Sequence, residues 1–266
     1  MKKAYVLCLA VLSCACGQFE SQKGTITGFS DHTLHQGTHT VANTHLGQHH
    51  YLSPEVGHGE MQSPINIISG EAHDTRHNIA LKYRQSKEVM KNLGHTVQLV
   101  YDEGSYIQID QQQFDLQQFH FHTPSEHLVD GITYPLEMHL VHVFYEEGSK
   151  AQNPQYLVVG LLFKAGKENP FLSQFMENLP QEEGQTIVLA DKFIDVNNLI
   201  KDNFGSFYHY IGSLTTHPYT ESVNWLVLKH VFEASAEQIE KLNRLEGNNA
   251  RHIQALNNRE VEEVWH

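Results

Sequence analysis

Apolar and polar residues alternate in short runs along most of this chain, and Gly, Pro, Asn and Asp bound the runs. Such runs fit half-buried strands, in which successive side chains take opposite faces. The pattern predicts strands at 79–83, 96–101, 106–109, 114–122, 136–145, 156–163, 186–189 and 225–232. Helical periods are few. Residues 170–178 read as a short helix and 235–245 as a longer one. In the second, Ser235 with Gln238 three positions on makes a capping box, and Gly247 supplies the stop. No repeat and no membrane span is visible. The expectation is a mainly β fold, a single domain over residues 59–266 with a few short peripheral helices.

The first 58 residues follow other rules. Residues 1–16 open with Met1-Lys2-Lys3, continue through an apolar run from Ala4 to Leu12, and close on small residues around Cys14 and Cys16. That is the layout of a secretory signal peptide, and its apolar run is too short to span a bilayer. Val11-Leu12-Ser13-Cys14 also resembles a bacterial lipoprotein signal, with Cys16 as the other choice of acylated residue. The expected location is therefore exported, periplasmic or cell-envelope, with an N-terminal lipid anchor as the single route to a membrane. Residues 17–58 read as a flexible linker rich in Gly, Ser, Thr, Gln and His. Seven histidines fall in it: His32, His35, His39, His45, His49, His50 and His58. Loose metal capture and plain solvation both fit such a tract.

Charge and cysteine usage narrow the function. The chain carries 18 Lys+Arg against 31 Asp+Glu, a formal charge of −13, with no basic run. That balance argues against nucleic acid or an anionic membrane surface as partner. All three cysteines precede Gly17, so the domain has no disulfide and any zinc site in it must use His, Asp or Glu. Histidines number 20, more than all Lys and Arg together. In Phe119-His120-Phe121-His122, strand alternation puts His120 and His122 on one face with Gln118, and the two Phe on the other. From Glu137 to Val143, the residues Glu137, His139 and Val141 share a face, and His142 points away. An antiparallel pairing would bring His139 beside His120 and His122, and three neutral imidazoles with an open fourth position make a catalytic zinc site. Ordinary surface histidines on two strands fit the same spacing, because the register is not written in it.

Five motifs in order resemble the α-class carbonic anhydrases across residues 59–266: Gln62-Ser63-Pro64-Ile65-Asn66-Ile67, Gln118 to His122, Ser125-Glu126-His127, Glu137 to His142, and Gly212-Ser213-Leu214-Thr215-Thr216. The resemblance implies a twisted, largely antiparallel sheet of about ten strands with the metal in a conical cleft above its centre. It implies reversible hydration of CO2 to bicarbonate and a proton through zinc-bound hydroxide, with Zn2+ on His120, His122 and His139. Gln118 and Glu137 match acceptors of the far ring N–H of His120 and His139, and a backbone carbonyl near Asn249 matches that role for His122. Thr215 matches the hydroxyl that accepts from the hydroxide, and Glu126 the carboxylate that takes the Thr215 proton. Val141, Val158, Leu214, Val223 and Trp225 match the apolar wall for CO2, and His95 the proton shuttle.

The chain also departs from the family. His217-Pro218 stands where members usually show Pro-Pro; that bond and Ser63-Pro64 are cis candidates by resemblance. Many bacterial members carry a cysteine pair near positions where this chain has Glu60-Met61 and Tyr219, and such a bridge contributes ~2–4 kcal/mol. Two other functions remain open on sequence: a non-catalytic binding protein of the same fold, and an extracytoplasmic zinc buffer built on the histidine tract.

Overall fold

Ten strands follow one hydrogen-bonded path in the computed structural model of the protein, which describes residues 59–145 and 154–265. The expected signal peptide and linker lie outside the described residues. Those described belong to one compact unit, His50–His266. In chain order the ten strands are β1 (His73–Thr75), β2 (Ser86–Asn92), β3 (Val97–Val100), β4 (Gln112–His122), β5 (Leu136–Phe144), β6 (Gln155–Ala165), β7 (Thr186–Ile194), β8 (Ser206–Gly212), β9 (Val223–Leu228) and β10 (Glu262–Trp265). Their order across the sheet is β7-β2-β3-β4-β5-β6-β9-β8-β10-β1. Neighbours are antiparallel except β6 with β9 and β10 with β1. Ile79–Lys82, Tyr106–Ile109 and Phe232–Ala234 pair at its margins. The mainly β, largely antiparallel expectation holds.

Alternation divides the side chains of the central strands between two cores. Phe119 and Phe121 of β4, Met138 and Leu140 of β5, and Leu157, Val159 and Leu161 of β6 enter the larger one. There Phe119, Phe121, Phe171 and Phe175 pack with neighbouring ring centroids 5.7–5.9 Å apart. Val141 and Val158 turn to the smaller core with Val223, Trp225 and Tyr210. His120 and His122, opposite in direction to the two Phe, take this second face.

Several elements differ from the sequence expectation. β2 was not predicted because it buries Ser86, Glu88 and Asn92 beside Met90, so polar residues occupy the inward positions. β8 was missed because it is buried on both faces, which removes the alternation, and β10 because it opens with two glutamates. The predicted strand 225–232 is two strands, broken at 229–231. The predicted helix 170–178 is an α-turn, Pro170–Ser173, capped by Asn169, followed by a 3-10 turn, Met176–Asn178. The longer helix, α1 (Ala236–Glu246), carries the expected reciprocal cap between Ser235 and Gln238 and ends at Gly247 with φ +66°.

Glu246, at the end of α1, is buried and accepts from the Val97 N–H at 2.8 Å, while its Oε2 has no hydrogen-bond partner. Burial pushes its carboxyl up to about 8, against the pull of its hydrogen bonds. Between about pH 4.5 and 8 the unfolded chain releases this proton while the folded chain keeps it. Folding stability is therefore present in full below that window and is lost as pH rises through it. Urea unfolding at pH 5 and pH 8 should show a larger loss in the wild type than in Glu246→Gln, which has no proton to release. Equal losses would rule out this coupling.

Candidate active site

The antiparallel ladder of β4 and β5 sets the site. His139 pairs with His120, Glu137 with His122 and Val141 with Gln118, and the register shifts after Val141. Ring centroids are 5.1 Å apart for His120–His122, 5.3 Å for His120–His139 and 4.6 Å for His122–His139. One ring nitrogen from each lies within 4.8 Å of the other two. His142 faces away: its Nδ1–H donates to the Leu157 carbonyl at 3.1 Å and its Nε2 accepts from the Tyr83 hydroxyl at 2.9 Å.

Side-chain acceptors choose which nitrogens converge. His120 Nδ1–H donates to Gln118 Oε1 at 2.9 Å, leaving Nε2 for the site. His139 Nε2–H donates to Glu137 Oε1 at 2.8 Å, leaving Nδ1. Both partners stand two residues before their histidines, on the same strand face, an arrangement that strand alternation permits. His122 takes no side-chain hydrogen bond; the Asn249 backbone carbonyl is the group that supports its ring and raises its basicity. Asn249 also works through its side chain, which donates to the His95 carbonyl at 2.8 Å and the Phe121 carbonyl at 3.1 Å. It thus ties the His95 turn to the strand of His120 and His122. Burial, and then the neighbouring imidazoles, hold His120 and His122 well below the usual histidine range, so both rings are neutral at pH 7.

Glu137 is fully buried and satisfies four donors. Its Oε1 also accepts from His127 Nδ1–H at 2.7 Å, and its Oε2 accepts the Glu126 and His127 backbone N–H groups at 2.8 Å each. Burial works to raise its carboxyl, but His127 and His139 hold it well below the ordinary range. From His127 the chain of bonds continues to the Tyr210 hydroxyl at 2.7 Å and on to Ser63 Oγ at 2.9 Å. Ser63 Oγ accepts the Ser213 N–H at 3.0 Å, two residues before Thr215. Sequence reasoning missed this link, because Ser63 and Ser213 are 150 positions apart. It also explains Gly212: a Cβ there would meet Ser63 Oγ at 2.1 Å.

Glu126 lies buried beneath the imidazoles, with Oε2 3.5 Å from His122 Nε2 and 3.9 Å from His139 Nδ1. Burial raises its carboxyl, opposed by His139, the Arg251 N–H on Oε1 at 2.9 Å, and the Thr215 hydroxyl. Val141, Val158, Val223 and Trp225 are gathered in the second core, and Leu214 packs against it. Trp225 meets the His139 ring edge-on at 4.8 Å. His95 is exposed on the turn between β2 and β3, close enough to act on His120. His217 is exposed beside Tyr219. Ser63-Pro64 and His217-Pro218 are cis as expected, and so is Thr123-Pro124, which was not anticipated. Where the family's cysteine pair is missing, Glu221 Oε1 accepts from the Met61 N–H at 2.9 Å and the Gln62 amide at 2.7 Å, and Arg251 lies 3.9 Å over the Tyr219 ring.

The donor set fits zinc. It offers three imidazoles, two of them held by side-chain acceptors, and a buried His122 nitrogen that no protein group satisfies. Neutral imidazoles suit a tetrahedral divalent ion, and oriented far nitrogens are the usual support of such ligands.

Fold and site together define a mainly β enzyme with a three-histidine centre able to hold a metal ion. The eukaryotic-type carbonic anhydrase family matches residues 46–264. A carbonic anhydrase from a Nostoc species is 35% identical over 231 residues, covering 84% of this chain and 83% of that relative. One from Neisseria gonorrhoeae is 36% identical over 235 residues, covering 82% and 88%. Among solved structures, the Thermovibrio ammonificans α-carbonic anhydrase with the inhibitor sulfanilamide superposes with a TM-score of 0.70 at 38% identity, covering 77% of this chain and 87% of that one. Dioscorin complexed with ascorbate gives 0.68 at 30% identity, covering 78% and 87%. The chain belongs to the α-carbonic anhydrase family and is an enzyme of that lyase class.

Proposed function

We propose that this protein reversibly hydrates CO2 to bicarbonate and a proton at a Zn2+ ion held by His120, His122 and His139, with His95 passing the proton to solvent. The observation that carries the reading is the His139–His120 register, with Gln118 and Glu137 holding the far nitrogens. A bound zinc ion would supply Lewis acidity that lowers the pKa of a coordinated water to about 7.

The chain's own groups do the rest. Thr215 donates its hydroxyl proton to Glu126, so its oxygen is left to accept a hydrogen from the attacking water and fix its orientation. The Arg251 N–H on Glu126 Oε1 holds that carboxylate in place. Val141, Val158, Leu214, Val223 and Trp225 offer CO2 an apolar surface, which suits a small molecule without hydrogen-bond donors. Asn249 fixes the turn that carries His95, whose exposed imidazole exchanges protons with buffer. From residues 1–16 we propose export to the periplasm or cell envelope; metabolic labelling with a fatty-acid analogue tests the lipid anchor, and an unlabelled soluble product would exclude it.

His95→Ala should lower maximal turnover in weak buffer by about 100-fold or more, the range of lost general acid–base assistance. Added imidazole should restore part of it. Unchanged turnover in weak buffer would remove His95 from the mechanism.

A further inference from the structure

A second set of imidazoles and carboxylates meets where strands from the two ends of the domain lie side by side. His77 follows β1, His209 lies in β8, and Glu262 opens β10. Glu262 Oε2 is 2.6 Å from His209 Nδ1 and 3.1 Å from His77 Nε2. The far nitrogens are engaged too: His77 Nδ1 is 2.9 Å from Asp110 Oδ2, and His209 Nε2 is 3.4 Å from Asn224 Oδ1. The two rings stand 5.2 Å apart at 73°, and the zinc-centre pair His120–His122 stands 5.1 Å apart at 73°.

We propose that His77, His209 and Glu262 form a second binding site for a divalent transition-metal ion, with zinc the fitting ion. Two imidazoles and a carboxylate are an established zinc donor set. Their three donor atoms lie within 4.8 Å of one another. Asp110 and Asn224 stand where metal-bound histidines carry their supporting acceptors, and they aim His77 Nε2 and His209 Nδ1 at Glu262. Donor atoms around a tetrahedral zinc lie about 3.4 Å apart, given bonds of ~2.1 Å. The 3.1 Å contact is near that spacing, and the 2.6 Å contact must open by under an ångström. Glu262 can move to allow it, because its side chain is 28% exposed, and that exposure also gives the ion a way in. Binding replaces the ring protons on His77 Nε2 and His209 Nδ1, which pass to solvent.

A third group of similar residues, His127, Glu137 and His139, shows what such a site cannot look like. It is wholly buried, and both Glu137 oxygens are already filled by four donors. The His77 site instead joins the segment after β1 to β8 and β10. An ion there would cross-link both ends of a domain that has no cysteine.

The test uses the full chain, stripped of metal and crystallised with zinc chloride, with diffraction recorded above and below the zinc absorption edge. Two anomalous peaks are expected, one among His120, His122 and His139 and one among His77, His209 and Glu262. A peak at the first position alone would overturn the proposal. In solution, calorimetric zinc titration should give one equivalent fewer for Glu262→Gln and for His209→Ala than for wild type; the histidines of 17–58 are common to all three and cancel. Equal stoichiometry in all three would also overturn it. CO2 hydration by Glu262→Gln should match wild type, which separates this site from the catalytic one. The wild-type crystal experiment decides the matter even where a variant fails to fold.

Discussion

His122→Ala is expected to abolish CO2 hydration while leaving the metal-free domain folded. The two effects separate because of what His122 touches. Its ring is buried and neutral, and the protein supports it only through the Asn249 backbone carbonyl. Removing it frees one backbone carbonyl, that of Asn249, and strands no side-chain partner, so the metal-free chain loses chiefly packing. The proposed zinc centre, in contrast, falls from three ligands to two. Loss of a merely supporting partner costs ~10–100-fold in metal affinity or activity, and loss of a ligand should exceed that range. Stopped-flow CO2 hydration with zinc analysis, on wild type and variant, reads both. Equal rates in the two proteins would overturn the proposed mechanism.

Glu137→Ala is expected to show the opposite pattern, a large loss of stability together with weaker metal binding. The substitution leaves four buried donors without an acceptor: the His127 and His139 ring N–H groups and the backbone N–H groups of Glu126 and His127. Breaking a buried charged network on one side costs about 3–5 kcal/mol. His139 also loses the bond that fixes its tautomer, which should weaken zinc by ~10–100-fold. Glu137→Gln keeps an oxygen but turns an amide NH2 toward donors, so it should recover only part of either loss. Urea unfolding of the metal-free protein gives the first quantity, and zinc competition against a chelating dye the second. A stability change below about 1 kcal/mol would show that this carboxylate does not anchor the site.

The contrast between these residues mirrors what could be read in advance. The run from Gln118 to His122 is a strand whose period of two sorts Phe119 and Phe121 from His120 and His122, and the two cores follow that division. The capping box at Ser235 and Gln238 was legible for the same reason, since its bonds span three residues. β2 was not legible, because its inward positions carry Ser86, Glu88 and Asn92, and Glu88 and Asn92 find partners on distant segments. Asn92, for example, donates to the Pro180 carbonyl, 88 positions away. The motifs carried the family resemblance, yet they said nothing of the bonds running from Glu137 through His127 and Tyr210 to Ser63.

Side-chain direction along a strand follows from covalent geometry, so the sequence alone determined which residues of the alternating strands share a face and where the Ser235 cap could form. It placed His120 with His122 and His139 with Glu137, and it excluded cysteine from any metal site in the domain over residues 59–266. Whether those faces meet depends on register and on strand order, which are set by hydrogen bonds between distant segments. Only the tertiary structure decided that His139 stands opposite His120, that Asn249 braces the turn of His95, and that His77 and His209 share Glu262 across separations of 185 and 53 positions. No local pattern encodes those meetings, because each is a property of the assembled sheet.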